Sequence, residues 1–216
     1  MREPILYRRV RNSPASRLQA PHMARPREFD LDAALERAMQ VFWAKGYEST
    51  SLDDLCAATG LGRSSLYGAF GDKHGLYLDA LARYEEGSAA RLNEALTRPV
   101  PVREAIAGFI ARLIDDIVAG PGRRGCFIGN CAAELARDDR EAAARVRRSL
   151  ERIETAFRDA LGRAKARGEI VRTADVGALA RFFTAGIQGL RLVGKANPDR
   201  AALDDIAGVM LRALDR

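Results

Sequence analysis

The amino-acid sequence predicts an all-α protein of about nine helices, with three helices forming an N-terminal unit and a larger helical domain behind them. Three observations carry this. Apolar residues recur at helical spacing almost throughout, no segment alternates as a half-buried strand does, and capping and breaking residues divide the chain into helix-length pieces.

The elements follow in order. Asp30 is a good N-cap for a first helix that places Leu31, Leu35, Ala38, Met39 and Phe42 on one face, and Gly46 ends it. Ser51 with Asp54 reads as a capping box opening a short second helix through Ala58. Thr59, Gly60, Leu61 and Gly62 form a glycine-bearing turn, and a third short helix runs from Arg63 to about Phe70. Asp72 caps a longer fourth helix carrying Leu76, Leu78, Leu81 and Tyr84. Pro99 and Pro101 interrupt it, and Val102, Ile106, Phe109, Ile110, Leu113 and Ile117 form the stripe of a fifth, closed by the glycines around Pro121. A sixth helix is expected from about Cys126 to Ala136. The seventh carries Val146, Leu150, Ile153, Phe157 and Leu161 and stops at Gly168, and two more occupy about 175–195 and 199–215.

The chain has 216 residues, 47% hydrophobic and 30% charged, with no apolar run near the roughly 18 residues of a membrane span. The first residues lack the apolar stretch of a secretory signal, so a cytoplasmic location is expected. Three cysteines make no disulfide framework, and His22 and His74 have no cysteine at zinc-ligand spacing. Residues 1–28 read as a basic, disordered extension, with seven arginines against Glu3 and Glu28. That segment supplies most of the net charge of +6. It is either an arm adding phosphate affinity or a stretch ahead of a start at Met23. Residues 29–75 are then the three-helix unit and 76–216 the larger domain.

Helix, short helix, glycine turn and short helix is the order of a helix-turn-helix, whose second short helix lies in the major groove. On that helix Leu66 and Phe70 are four apart and pack inward, leaving Ser64, Tyr67 and Gly68 opposite, with Arg63 at the N-terminal tip. Arg63 can reach a guanine edge or a phosphate, and the Tyr67 hydroxyl can donate to a phosphate. Lys73 opens the fourth helix, where free N–H groups and the dipole add to its charge. Thr50 offers a hydroxyl just before the second helix.

The stretch from Phe42 to Leu76, FWAKGYESTSLDDLCAATGLGRSSLYGAFGDKHGL, resembles the signature of the TetR (tetracycline-repressor-like) family. The resemblance implies a small DNA-binding domain and a larger C-terminal domain that forms a homodimer and binds an effector. It implies that Thr50, Tyr67 and Lys73 contact phosphates of a palindromic double-stranded operator, and that Arg63, Ser64 and Ser65 face bases. Gly62 departs from the Ser or Thr that often caps the recognition helix, a loss of only a few tenths of a kcal/mol. Residues 29–75 hold more acids than bases, so affinity rests on particular contacts and on dimerisation.

In the same family the last two helices build the dimer, which assigns Phe182, Gly186, Gly189, Leu190, Val193, Leu203, Ile206 and Met210 to the interface. Interior glycines each cost about 1 kcal/mol relative to alanine, which close helix contact would offset. Cys126 follows Arg123, Arg124 and Gly125 at a helix start, where positive charge favours a thiolate. The segment RGCFIGNCAAELA resembles the cysteine segment of the NemR-like, electrophile-sensing branch. Cys126 is read either as a redox or electrophile sensor or as a small buried hydrophobe. The other source of a signal is a small apolar ligand lined by Phe109, Phe127 and Phe157. No catalytic or nucleotide-binding motif is present, so neither enzyme activity nor a cofactor or metal is expected. The alternative to a repressor is a helical ligand-binding or interaction protein with a degenerate DNA-binding module.

Overall fold

The structure, a computed structural model, describes residues 30–215; the basic extension 1–28 lies outside them. Nine α-helices occur among the described residues, with no strand. They are α1 (Leu31–Lys45), α2 (Leu52–Thr59), α3 (Arg63–Phe70), α4 (Lys73–Leu96), α5 (Val102–Ala119), α6 (Phe127–Glu134), α7 (Arg140–Ala166), α8 (Val176–Ala196) and α9 (Arg200–Arg212), with a 3₁₀ turn at Pro121–Arg124.

Aspartates start five of these helices: Asp30, Asp72, Asp139, Asp175 and Asp199 each accept a first-turn N–H. Each satisfies donors that a bare helix end leaves open. The capping box expected at Ser51 is present, with Asp54 N–H donating to Ser51 Oγ at 3.1 Å and Ser51 N–H to Asp54 Oδ2 at 3.0 Å. Gly60, at φ +73°, supplies the left-handed residue that turns α2 toward α3.

Two hydrophobic clusters hold the helices. The first joins Phe42 of α1, Leu55 of α2, Leu66 of α3 and Leu76 and Leu81 of α4 to Phe127 and Cys131 of α6 and Val146 of α7. So α6 and the start of α7 pack on the N-terminal helices, although they are distant in sequence. The second cluster gathers Ile106, Ile110 and Ile117 of α5, Phe157 and Leu161 of α7, Phe183 and Leu190 of α8, and Leu203 and Met210 of α9. Burying each such side chain contributes about 1.5–3 kcal/mol.

The last two helices divide their apolar residues between two faces. Leu190, Leu203 and Met210, expected at a dimer interface, are instead 1%, 0% and 3% exposed in the subunit's own core. A Cβ on Gly186 would lie 2.6 Å from Met210 Cε, and one on Gly194 would lie 2.6 Å from Ile117 Cγ2. Close helix contact thus accounts for these two glycines within one subunit. The remaining apolar residues point outward: Phe182 and Val193 of the expected set, joined by Leu192 and Val209, are exposed, Ile206 is half-buried, and Gly189 faces open space.

Candidate DNA-binding surface and its link to the C-terminal helices

The orientation of α3 follows from its buried side. Leu66 is 2% exposed and Phe70 half-buried against the first cluster, while Leu61 in the turn is also buried. With those residues inside, Arg63, Ser64, Ser65, Tyr67 and Gly68 are exposed. Gly62 starts the helix with no side-chain cap, as expected, and its carbonyl accepts from the N–H groups of Ser65 and Leu66 at 3.0 Å. Gly62 and Gly68 have nothing within 4 Å of a built Cβ, so the surface here is low and open.

Two of the expected contact residues are engaged within the subunit. The Arg63 guanidinium meets Asp53 of α2 at 2.7 Å, an ion pair exposed on both sides that a phosphate can replace. Lys73 Nζ sits 4.4 Å from the centroid of the Tyr47 ring, a cation–π contact at the first residue of α4. Thr50 does not belong to the surface. It is 1% exposed, and its hydroxyl donates to the Gly46 carbonyl at 2.6 Å, so it closes the turn between α1 and α2 with its one proton committed.

The helix-turn-helix is tied to the rest of the chain by contacts that sequence reading did not find. The Glu134 carboxylate, at the end of α6, accepts the backbone N–H groups of Tyr47 at 3.0 Å and Glu48 at 2.8 Å. Gly46, at φ +84°, permits this approach, since a Cβ there would lie 2.9 Å from Glu134 Oε2. His74 Nε2 lies 2.6 Å from Asp139 Oδ2 at the start of α7. The Ala142 backbone N–H, with His74 adding to it, holds the Asp139 carboxyl below the usual range. Trp43 Nε1 donates to the Gly125 carbonyl at 3.1 Å, and Arg124 hydrogen-bonds Gln40 Oε1. Thus the 121–134 segment touches α1 at one end and the turn ahead of α2 at the other.

Cys126 lies at the head of that segment, as the N-cap of α6, and is 6% exposed. Tyr84 donates to its Sγ at 3.8 Å, and Arg191 of α8 donates to the Tyr84 oxygen at 2.7 Å. Burial pushes the Tyr84 hydroxyl up to about 12, so it stays a neutral donor near pH 7. Cys131 is fully buried, and its thiol is also pushed up by burial; Cys56 is half-buried on the first cluster.

The aromatic trio does not line one pocket. Phe127 is enclosed by Tyr77 and Tyr84 in the first cluster, at centroid distances of 5.3 and 5.8 Å, and Phe157 stacks on Phe183 at 5.6 Å in the second. Phe109 alone borders open space, a cleft of 470 Å³ whose other walls are mostly charged. No helix of the described residues is long and apolar enough to cross a membrane.

Residues 34–80 match the family model for bacterial regulatory proteins of the tetR family, and residues 102–210 match that for a tetracyclin repressor-like C-terminal domain. Among curated proteins, the chain is similar to the uncharacterised HTH-type transcriptional regulator YezE of Bacillus subtilis. The two are 37% identical over 194 residues, covering 89% of this chain and 100% of YezE. It is also similar to the HTH-type transcriptional repressor ComR of Escherichia coli, at 35% identity over 87% of this chain and 90% of ComR. Among solved structures it resembles a cysteine mutant of the TetR family regulator CifR complexed with 26-bp double-strand operator DNA. The TM-score is 0.80 at 30% identity, covering 88% of this chain and 99% of the other. The arrangement of α1 to α3, the helical domain behind them and these matches over both parts agree: the chain belongs to the TetR family of DNA-binding transcriptional regulators, which are not enzymes.

Proposed function

We infer that this chain is a cytoplasmic repressor that binds a palindromic operator as a homodimer. The exposed face of α3 carries the reading: Leu66 anchors the helix so that Arg63, Ser64 and Ser65 meet base edges and Tyr67 and Lys73 meet phosphates. The outward apolar residues Phe182, Val193, Ile206 and Val209 on α8 and α9 pair with the same residues of a second copy. Release follows from a small molecule, or from modification of Cys126, disturbing the 121–134 segment. Because Cys126 is packed under Tyr84, an adduct there displaces α6 and with it the Glu134 carboxylate.

A gel-shift titration on duplex DNA from the region upstream of the chain's own gene, at two salt concentrations, tests the DNA reading. Salt-sensitive binding that the double variant Arg63→Ala, Tyr67→Phe weakens supports it. Absence of binding supports the second reading, an interaction protein with a degenerate DNA module, which the Arg63–Asp53 pair favours. For the signal, Cys126→Ser is expected to keep operator binding and to lose release by a mild electrophile; unaltered release would leave only the non-covalent effector.

A further inference from the structure

We propose that the cleft between α1, α4, α5, α8 and the Gly122–Gly125 turn binds a small carboxylate-bearing effector, with the anionic end on Arg191. The cleft has a volume of 360 Å³, within the range of small-molecule sites, and its walls include Trp43, Tyr84, Arg91, Asp116, Arg124 and Arg191. Three guanidinium groups and one carboxylate thus line it.

Arg191 is the reason to name an anion. It projects from a mostly apolar stretch of α8 and is half-buried with its Nε fully covered, yet forms no ion pair among the described residues. Its guanidinium donates to the neutral Tyr84 hydroxyl at 2.7 Å and has the Cys126 sulfur as a second polar neighbour, and its Nε is buried with no partner. Asp116, the one acid of the lining, does not reach it within ion-pair distance. A cation held away from water is costly unless an anion or a full set of acceptors meets it. A carboxylate fits the planar fork of an arginine and would take the open Nε–H. The rings of Trp43 and Tyr84, packed edge to face at a centroid distance of 5.0 Å, offer an apolar wall for the rest of such a molecule.

The same cleft is crossed by the contacts that join α1 to the 121–125 turn. Trp43 donates to Gly125 and Arg124 to Gln40 across it. An occupant displaces these contacts and turns α1, so ligand and operator oppose each other reciprocally. This step rests on the effector-release reading above.

Trp43 is the single tryptophan of the chain and lines the cleft, so its fluorescence reports occupancy in the absence of DNA. Acetate, benzoate and cyclohexanecarboxylate are titrated against the full chain, each beside its amide. The expected result is a saturable change for at least one ring acid, with its amide about tenfold weaker or worse. Arg191→Gln then brings acid and amide level. Should that variant fail to fold, Arg91→Gln at the exposed edge of the cleft carries the test, weakening the acid about threefold and sparing the amide. Equal binding of acid and amide, no saturable change with any acid, or indifference to both substitutions overturns the proposal. Loss of operator affinity on adding the bound acid is read separately by gel shift, so failure of the release reading is distinguishable from failure of the cleft.

Discussion

Replacing Gly46 by alanine strikes two things at once, and a double-mutant cycle with Glu134→Ala separates them. At φ +84° and ψ 175° the backbone sits where side chains are disfavoured, which costs about 1–3 kcal/mol. The new Cβ would also lie 2.9 Å from Glu134 Oε2, so the carboxylate must swing away from the N–H groups of Tyr47 and Glu48. Two charge-assisted bonds are lost, but Glu134 is exposed and water replaces part of them, leaving about 1 kcal/mol. Gly46→Ala is therefore expected to cost about 2–4 kcal/mol alone and Glu134→Ala about 1. The double variant costs no more than Gly46→Ala, because the clamp can be lost only once. The assay is urea unfolding at one fixed protein concentration, since a dimer's stability depends on it. Strict additivity of the two substitutions would refute the clamp, and with it the link from α6 to the helix-turn-helix.

Other expectations follow from the same geometry. Tyr67→Phe should weaken operator binding by about 1 kcal/mol whatever the sequence bound, through loss of one phosphate bond; unchanged affinity in a gel shift would remove that contact. Val193→Glu places a charge on the outward face of α8 and should yield a folded monomer in sedimentation velocity, whereas a persistent dimer would move the interface elsewhere. Acid should weaken the cap at the start of α2. Lys45 and the Ser51 cap hold Asp54 down to about 2, against roughly 3.9 unfolded, so its contribution is complete above about pH 5 and is lost as the pH falls from there through 2. Urea midpoints at pH 5 and pH 3 should therefore diverge more for the native chain than for Asp54→Asn.

Helix positions were legible because their signals are local. Asp30, Ser51 with Asp54, Asp72 and Gly60 each cap with their own side chain or backbone, and a neighbour three or four residues away suffices. The inward turn of Leu66 followed from spacing in the same way. Thr50 faces inward because its hydroxyl bonds back to the Gly46 carbonyl four residues earlier, and spacing alone does not decide between that bond and an outward hydroxyl. The stripes on α8 and α9 are wide enough to serve two surfaces. Periodicity finds the stripe, but only packing against α5 and α7 shows that Leu190, Leu203 and Met210 take the inner half and Phe182, Val193 and Val209 the outer. Phe127 and Phe157 look alike in sequence and lie in different clusters, since α6 folds back onto the N-terminal helices. Glu134 and Arg191 had weaker signals: an acid at a helix end, and one arginine inside an apolar run.

The most direct measurement of DNA recognition is selection of bound duplexes from a random pool by the purified chain, followed by sequencing. A dimer presenting two copies of α3 should enrich a two-fold symmetric site with half-sites about one helical turn or a multiple apart, and the Arg63→Ala chain should relax the preference within each half. Enrichment of no sequence, or of an asymmetric site indifferent to Arg63, would contradict it.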